Sequence, residues 1–278
     1  MEITILIENT SHSELLAEHG LSVLIEYNGK RYLLDAGSSD AFLENAKTLG
    51  ISLDNLDACI LSHGHYDHSG GFHALLNANE TVSVYAMESA VTDSYHSSKG
   101  GMHEIGVPSV VLDNHSERFI LLDSSKTIDG IHLIPHSSRD LELIGQKAGL
   151  FKKIDDKYLP DDFSHELSLV FDTPKGLVIF NSCSHAGILN IISEVKATFP
   201  GRNIYAFLGG LHMEGKKEGR SYCTFSEDEI ADISNSLKAD GLQYIYTGHC
   251  TGEEGFRLIR KHFGENAVQI YTGMKITI

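Results

Sequence analysis

Cysteine is scarce in this chain and widely scattered. Cys59, Cys183, Cys223 and Cys250 form no CxxC pair, which argues against a disulfide framework or a structural zinc ribbon and makes a reducing cytoplasm the simplest location. Long apolar runs are missing too, so no membrane span is expected. The opening Met1 to Glu8 is apolar for only a few residues and lacks a basic stretch, so it reads as a strand and not as a signal peptide. No Pro/Gly/Ser-rich linker, internal repeat or low-complexity tract divides the chain, and one domain over 1–278 is expected. Positive charge is in deficit: 22 basic against 38 acidic residues give a net charge of −16. Such a surface repels polyanions, so nucleic acid is a poor partner and a small-molecule substrate is expected. The sequence says nothing about oligomeric state.

Apolar content is ample. Forty-one per cent of the 278 residues are hydrophobic, enough for a sizeable core, and a two-sheet sandwich with helices can use that length as one unit.

The chain is organised around Ser62-His63-Gly64-His65-Tyr66-Asp67-His68-Ser69-Gly70-Gly71, which follows the apolar run Leu56 to Leu61. In an extended segment leaving a strand, His63 and His65 point to the same side and can grip one ion. A turn into helix near Asp67 brings Asp67 and His68 round toward a second ion. A His-rich surface loop would account for one isolated histidine, not for four ligand-type residues in this order.

The same layout recurs. Leu177 to Asn181, the second strand of a hairpin begun by Leu167 to Phe171, leads into Ser182-Cys183-Ser184-His185-Ala186-Gly187 and an amphipathic helix from Ile188. Strand Ile204 to Leu208 ends in Gly209-Gly210-Leu211-His212, and strand Tyr244 to Thr247 in Gly248-His249-Cys250. A packed core histidine would explain any one of His185, His212 or His249; three, each within two residues of a glycine, point to metal. Between Tyr244 and Ile204 lies a helix from Ser226 to Lys238 opened by a capping box, Ser226 with Glu229.

Elsewhere the N-terminal half reads as strands Ile3 to Glu8, Ser22 to Tyr27 and Arg31 to Leu34, with an Asn28-Gly29 turn. A helix is expected over Asp40 to Leu49, a strand over Asp57 to Leu61, a helix over Gly70 to Leu76 and a strand over Thr81 to Ala86. His12 and His19 lie in the polar segment Asn9 to Gly20, which is either a loop over the site or a solvated connection. Residues 88–118 show little periodicity and are expected to cover or line the site; they begin an insertion that runs to about 160. Arg139 matches a substrate carboxylate or phosphate by its planar fork, with a plain surface role as the alternative. Tyr66 either lines the pocket or packs.

The motif Ser62 to Gly71 resembles the signature of the metallo-β-lactamase fold hydrolases. The resemblance implies an α/β fold of the αββα four-layer sandwich type. It also gives a role to Asp35 in Leu34-Asp35-Ala36-Gly37: an Asp at this position lies behind the metal loop and orients a ligand, where the residues alone suggest a turn or cap. S-C-S-H-A-G, G-G-L-H and T-G-H-C-T-G look like the later elements of the subfamily that includes the dihydropterin-linked ribofuranosylaminobenzene phosphate synthases. One departure stands out: no aspartate follows Leu177 to Phe180, where a bridging carboxylate often sits, and Cys183 takes that neighbourhood, as a thiolate ligand or as a small buried residue beside a ligating His185.

The expected cofactors are two divalent metal ions, zinc first, with iron, manganese or magnesium compatible. His63, His65 and His185 are assigned to one, and Asp67, His68 and His249 to the other. Metal-bound hydroxide, available near neutral pH, would attack an ester, lactone or phosphoester. Asp67 and His212 are the candidates for direct catalytic roles, His212 as a donor to substrate or oxyanion. The subfamily likeness keeps open a second activity, a synthase that forms a carbon–nitrogen bond from a pterin pyrophosphate. A third reading is a non-catalytic binding protein on the same fold.

Overall fold

The computed structural model describes residues 1–217 and 219–278. The chain falls into two compact units, one built from Met1–Asp123, Leu150–Leu159 and Ile270–Ile278, the other from Ser124–Gly149 and Pro160–Gln269.

The first unit holds a seven-stranded sheet in the order Lys275–Thr277, Glu2–Ile7, Ser22–Tyr27, Lys30–Leu34, Ala58–Ile60, Val84–Met87, Phe119–Leu122. The first four strands pair antiparallel and the rest join in parallel. Asn28 and Gly29 both adopt positive φ, 50° and 76°, as a two-residue hairpin turn requires. Strands Ala58–Ile60 and Gly176–Phe180 are buried throughout, which is why they read as unbroken apolar runs without alternation.

The second unit repeats the plan. Its sheet runs Ala267–Gln269, Tyr244–Thr247, Ile204–Leu208, Gly176–Phe180, Leu167–Thr173, Ile131–Pro135, Lys126–Ile128. The first three pairings are parallel and the last three antiparallel. Helix Ile188–Thr198 buries Ile188, Ile191, Ile192 and Val195, an i, i+3, i+4, i+7 stripe of apolar side chains. Ser226 caps helix Glu227–Ala239 through the expected reciprocal box with Glu229.

Several expectations are corrected. The helix placed over Gly70 to Leu76 is two, Tyr66–Ser69 and Phe72–Ala78, so the metal motif itself turns helical at Tyr66. The strand placed over Thr81 to Ala86 starts later, at Val84. Residues 88–118 are not irregular: they contain Glu88–Thr92 and Ser109–His115 as helices, with Ser94–Ser97 and His103–Glu104 as strands. Those two strands join Leu150–Ile154 and Lys157–Pro160 in a four-stranded sheet. Pairing partners some fifty residues away leave no local signal. Among the described residues, no helix is long and apolar enough to cross a membrane.

Candidate metal centre

Ligand-type side chains gather at the carboxyl ends of the parallel strands, where open α/β sheets collect ligands. Asp35 follows Lys30–Leu34, and His63, His65, Asp67 and His68 follow Ala58–Ile60. All five are buried, Asp35, His63 and His68 completely.

Asp35 organises the group. Its Oδ1 accepts the Ser62 N–H at 2.7 Å, and its Oδ2 accepts the Ser62 hydroxyl and faces His68 Nδ1, each at 2.7 Å. Ser62 Oγ lies 2.7 Å from His63 Nδ1. With both carboxylate oxygens accepting, His68 donates from Nδ1 to Asp35, and His63 donates from Nδ1 to Ser62. Each ring then presents Nε2 with its lone pair, the tautomer a metal needs. The rings of His63 and His65 lie 4.6 Å apart, and those of His63 and His68 4.2 Å apart. Asp67 Oδ2 stands 3.5 Å from His68 Nε2 and 3.2 Å from His19 Nε2. Of the two readings of the Asn9 to Gly20 segment, a loop over the site or a solvated connection, this contact favours the first for His19.

The insertion covers this loop. A Cβ added to Gly64 would lie 2.6 Å from the Ala90 carbonyl oxygen and 3.0 Å from the Tyr95 ring, and Tyr95 stands edge-on to His65 at 6.1 Å. Tyr66 is 41% exposed, so it does not pack into the core.

In the second unit, Cys183 and His185 follow Gly176–Phe180, His212 follows Ile204–Leu208 and His249 follows Tyr244–Thr247. Ser184, His212 and His249 all hold positive φ, at 53°, 48° and 50°, a costly conformation for residues with a Cβ and one that clusters at functional sites. The loops interlock: Leu211 N–H donates to Thr251 Oγ1 at 2.9 Å, His212 N–H to Cys250 Sγ at 3.3 Å, and Cys250 Sγ–H to the Cys183 carbonyl at 3.6 Å. His185 stacks on Phe163 at 5.1 Å and lies 4.4 Å from His212. Both ring nitrogens of His212 are buried without a hydrogen-bond partner. Burial opposes ionisation of the Cys250 thiol, yet its interactions with Cys183 and with the neighbouring His212 and His249 outweigh this and hold it well below the ordinary thiol range.

Three further residues escaped sequence reasoning. Glu166, fully buried, accepts the backbone N–H groups of His185 at 2.8 Å and Ala186 at 2.9 Å. Burial pushes its carboxyl up, against the pull of His136 and of those two N–H donors. Asp161 and His165, also buried, bond to each other at 3.0 Å. The signal was present in Asp161-Asp162-Phe163-Ser164-His165-Glu166 before an apolar strand, but it sits at the strand's amino end, opposite to the other motifs. Arg139 is exposed on the turn before helix Leu141–Ala148.

Buried imidazoles held in the ligating tautomer by a carboxylate, His68 directly and His63 through Ser62, make donors suited to divalent ions. The model of the metallo-beta-lactamase superfamily matches residues 16–176, more than half of the chain. The chain belongs to that superfamily. A curated relative within it, 7,8-dihydropterin-6-methyl-4-(β-D-ribofuranosyl)-aminobenzene-5′-phosphate synthase of Methanocaldococcus jannaschii, is 28% identical over 94% of this chain and 90% of its own length. The crystal structure of Tm1679, a metal-dependent hydrolase of the β-lactamase superfamily, matches with a TM-score of 0.82 and 28% identity, covering 100% of this chain and 99% of that one. Zn2+-bound PqqB from Methylobacterium extorquens shares the fold at a TM-score of 0.59 and 13% identity, covering 100% of both chains. The α/β architecture of this chain is thus the metallo-β-lactamase fold, and the chain is an enzyme of a superfamily whose members bind divalent metal.

Proposed function

We propose that this chain is a metal-dependent hydrolase of a small ester, lactone or phosphoester. In this reading His63, His65 and His185 hold one divalent ion and Asp67, His68 and His249 hold a second, with zinc the first choice and iron, manganese and magnesium the alternatives. The observation that carries it is Asp35, which locks His68 directly and His63 through Ser62 in tautomers that leave Nε2 to ligate. Ions bound there supply Lewis acidity and a water acidified to a pKa of about 7.

The chain's own residues do the remaining work. His212, with two buried unpartnered nitrogens, is placed to donate to a developing oxyanion. Asp67 is the carboxylate that can hold a proton during the reaction, and its contact with His19 steadies it. Cys183 stands where a bridging carboxylate is common in the family, and we assign it as a small buried neighbour of the ligating His185. Tyr66 and Arg139, both exposed, are the proposed substrate contacts, Arg139 for an anionic group. A net charge of −16 disfavours nucleic acid as substrate, and a cytoplasmic setting suits four widely spaced cysteines with no CxxC pair.

The likeness to the Methanocaldococcus jannaschii synthase over 94% of the chain favours one second reading, condensation of a pterin pyrophosphate with an arylamine. There the ions would stabilise pyrophosphate departure, and the same donor set would serve. Elemental analysis of protein purified without added metal, followed by an ester and phosphodiester panel and a condensation assay, separates the readings. Two ions per chain with turnover of the panel, lost in His63→Ala, is the expected result. Condensation without turnover of the panel would replace hydrolase by synthase, and fewer than about one ion per chain would remove the dinuclear centre.

A further inference from the structure

A second carboxylate reaches the His185 loop from a distance. His136 ends strand Ile131–Pro135, and its Nδ1 lies 2.6 Å from Oε2 of Glu194 on helix Ile188–Thr198. On the other side, His136 Nε2 lies 2.9 Å from Ser168 Oγ, and Asn181 Nδ2 donates to the same oxygen at 3.0 Å. Asn181 Oδ1 then accepts the Ser184 N–H at 2.6 Å. Ser168 and Asn181 are fully buried and His136 nearly so.

Donor logic gives this chain one direction. Glu194, also bound by the Ser137 N–H and the Ser138 hydroxyl, is an anion and can only accept, so His136 Nδ1 carries the proton. Asn181 must turn its oxygen to the Ser184 N–H, which leaves its NH2 to donate to Ser168. A neutral imidazole with its proton on Nδ1 can only accept at Nε2, so Ser168, which accepts from Asn181, turns its own proton to His136 Nε2. Every bond therefore points from the loop to Glu194, an arrangement in which each bond polarises the next.

The end point is a strained residue. Ser184 has φ 53°, a backbone state that costs about 1–3 kcal/mol and persists only where its surroundings hold it. It is held by Asn181 on its N–H and by the Gly210 carbonyl on its hydroxyl, at 2.7 Å. Plain core filling would not need such a network, because apolar side chains of equal volume fill space without desolvating a histidine and a carboxylate.

We propose that Glu194 and His136 are positioning residues for the loop that carries Cys183 and His185, acting through Ser168 and Asn181 on the backbone of Ser184. Neither is among the proposed metal ligands or substrate contacts; both set the aim of His185 in the centre proposed above, and the inference rests on that reading only for its effect on metal affinity.

The test is hydrogen exchange of the full chain, as purified and after chelator treatment, read over residues 182–187 in wild type, Glu194→Gln and His136→Gln. Val195→Ala is the control, a fully buried neighbour of Glu194 on the same helix with no part in the network. Exchange in the loop of Glu194→Gln is expected to rise at least about tenfold while strand Tyr244–Thr247 stays unchanged, and metal affinity by chelator competition to fall about tenfold. Val195→Ala is expected to lower the melting temperature without loosening the loop. Loop exchange in Glu194→Gln within twofold of wild type, or equal acceleration in Val195→Ala, overturns the proposal. Glu194 lies at the partly exposed end of the network, so its variant folds even where His136→Gln does not. The chelated sample separates the two ideas: wild-type protein that never holds metal defeats the metal centre, whereas an unaltered loop defeats the positioning role.

Discussion

His68 and Asp35 share a hydrogen bond of 2.7 Å in which neither side chain is exposed to solvent. Asp35 pays for this placement with φ 58°, and three hydrogen bonds hold it there, two from Ser62 and one from His68. One carboxylate thus aims two imidazoles, one directly and one through a serine.

Replacing Asp35 by Asn removes the charge and leaves one acceptor oxygen where the site needs two. The amide NH2 must then face either the Ser62 N–H or the Ser62 hydroxyl together with His68 Nδ1–H; in the second case the relief is for His68 to change tautomer and lose its outward lone pair. Asp35→Asn is expected to weaken metal binding about 10–100-fold and to cost about 1–3 kcal/mol of stability through the unsatisfied donor. Chelator competition and urea unfolding measure the two; wild-type affinity in the variant would show that Asp35 does not orient the ligands.

Gly71 closes the motif for a steric reason. Its φ is −73°, a value open to any residue, but a Cβ there would lie 2.1 Å from the Ala36 carbonyl oxygen and 2.4 Å from that of Ser39. Both contacts are backbone, so the loop after Asp35 would have to move. Gly71→Ala is expected to destabilise by about 3 kcal/mol, at the upper end for overpacking. Gly106→Ala, whose Cβ would meet nothing closer than 3.6 Å, is expected to stay within about 1 kcal/mol. Equal melting temperatures for the two variants would contradict the close approach.

What could be read from sequence was whatever is encoded locally. Strands Ser22–Tyr27 and Tyr244–Thr247 and the Ser226 box emerge at the expected residues, because turn residues bound the strands and the capping pair is three residues apart. The motif His63 to His68 was legible for the same reason: its donors are neighbours in sequence. Strands Ser94–Ser97 and His103–Glu104 were not, since the first pairs with the distant Leu150–Ile154 and the second, only two residues long, pairs with the first. The partners of Glu166 and of the pair His136–Glu194 were invisible for a related reason. A carboxylate that binds a backbone N–H 19 residues away, or an imidazole 58 residues away, leaves no spacing to recognise.

Glu194 also makes a prediction about acid stability. Burial pushes its carboxyl up, but hydrogen bonds from His136, Ser138 and the Ser137 N–H outweigh this and hold it at about 2, against an ordinary value of 4.5. The folded state therefore binds this proton less readily than the unfolded state. Its contribution is present above about pH 4.5 and disappears as the pH falls toward 2. Because the side chain is 20% exposed and the group only partly buried, solvent screening reduces the effect to the order of 1 kcal/mol. Urea unfolding of wild type and Glu194→Gln at pH 6 is expected to differ by that amount or more, the lost charge-assisted bonds adding to it. Repeated in steps between pH 4.5 and 2.5, the gap is expected to narrow, since wild type loses what the variant already lacks. A gap that stays constant across that window would mean that Glu194 does not ionise with the depressed value, and that neutral hydrogen bonds hold His136 in place.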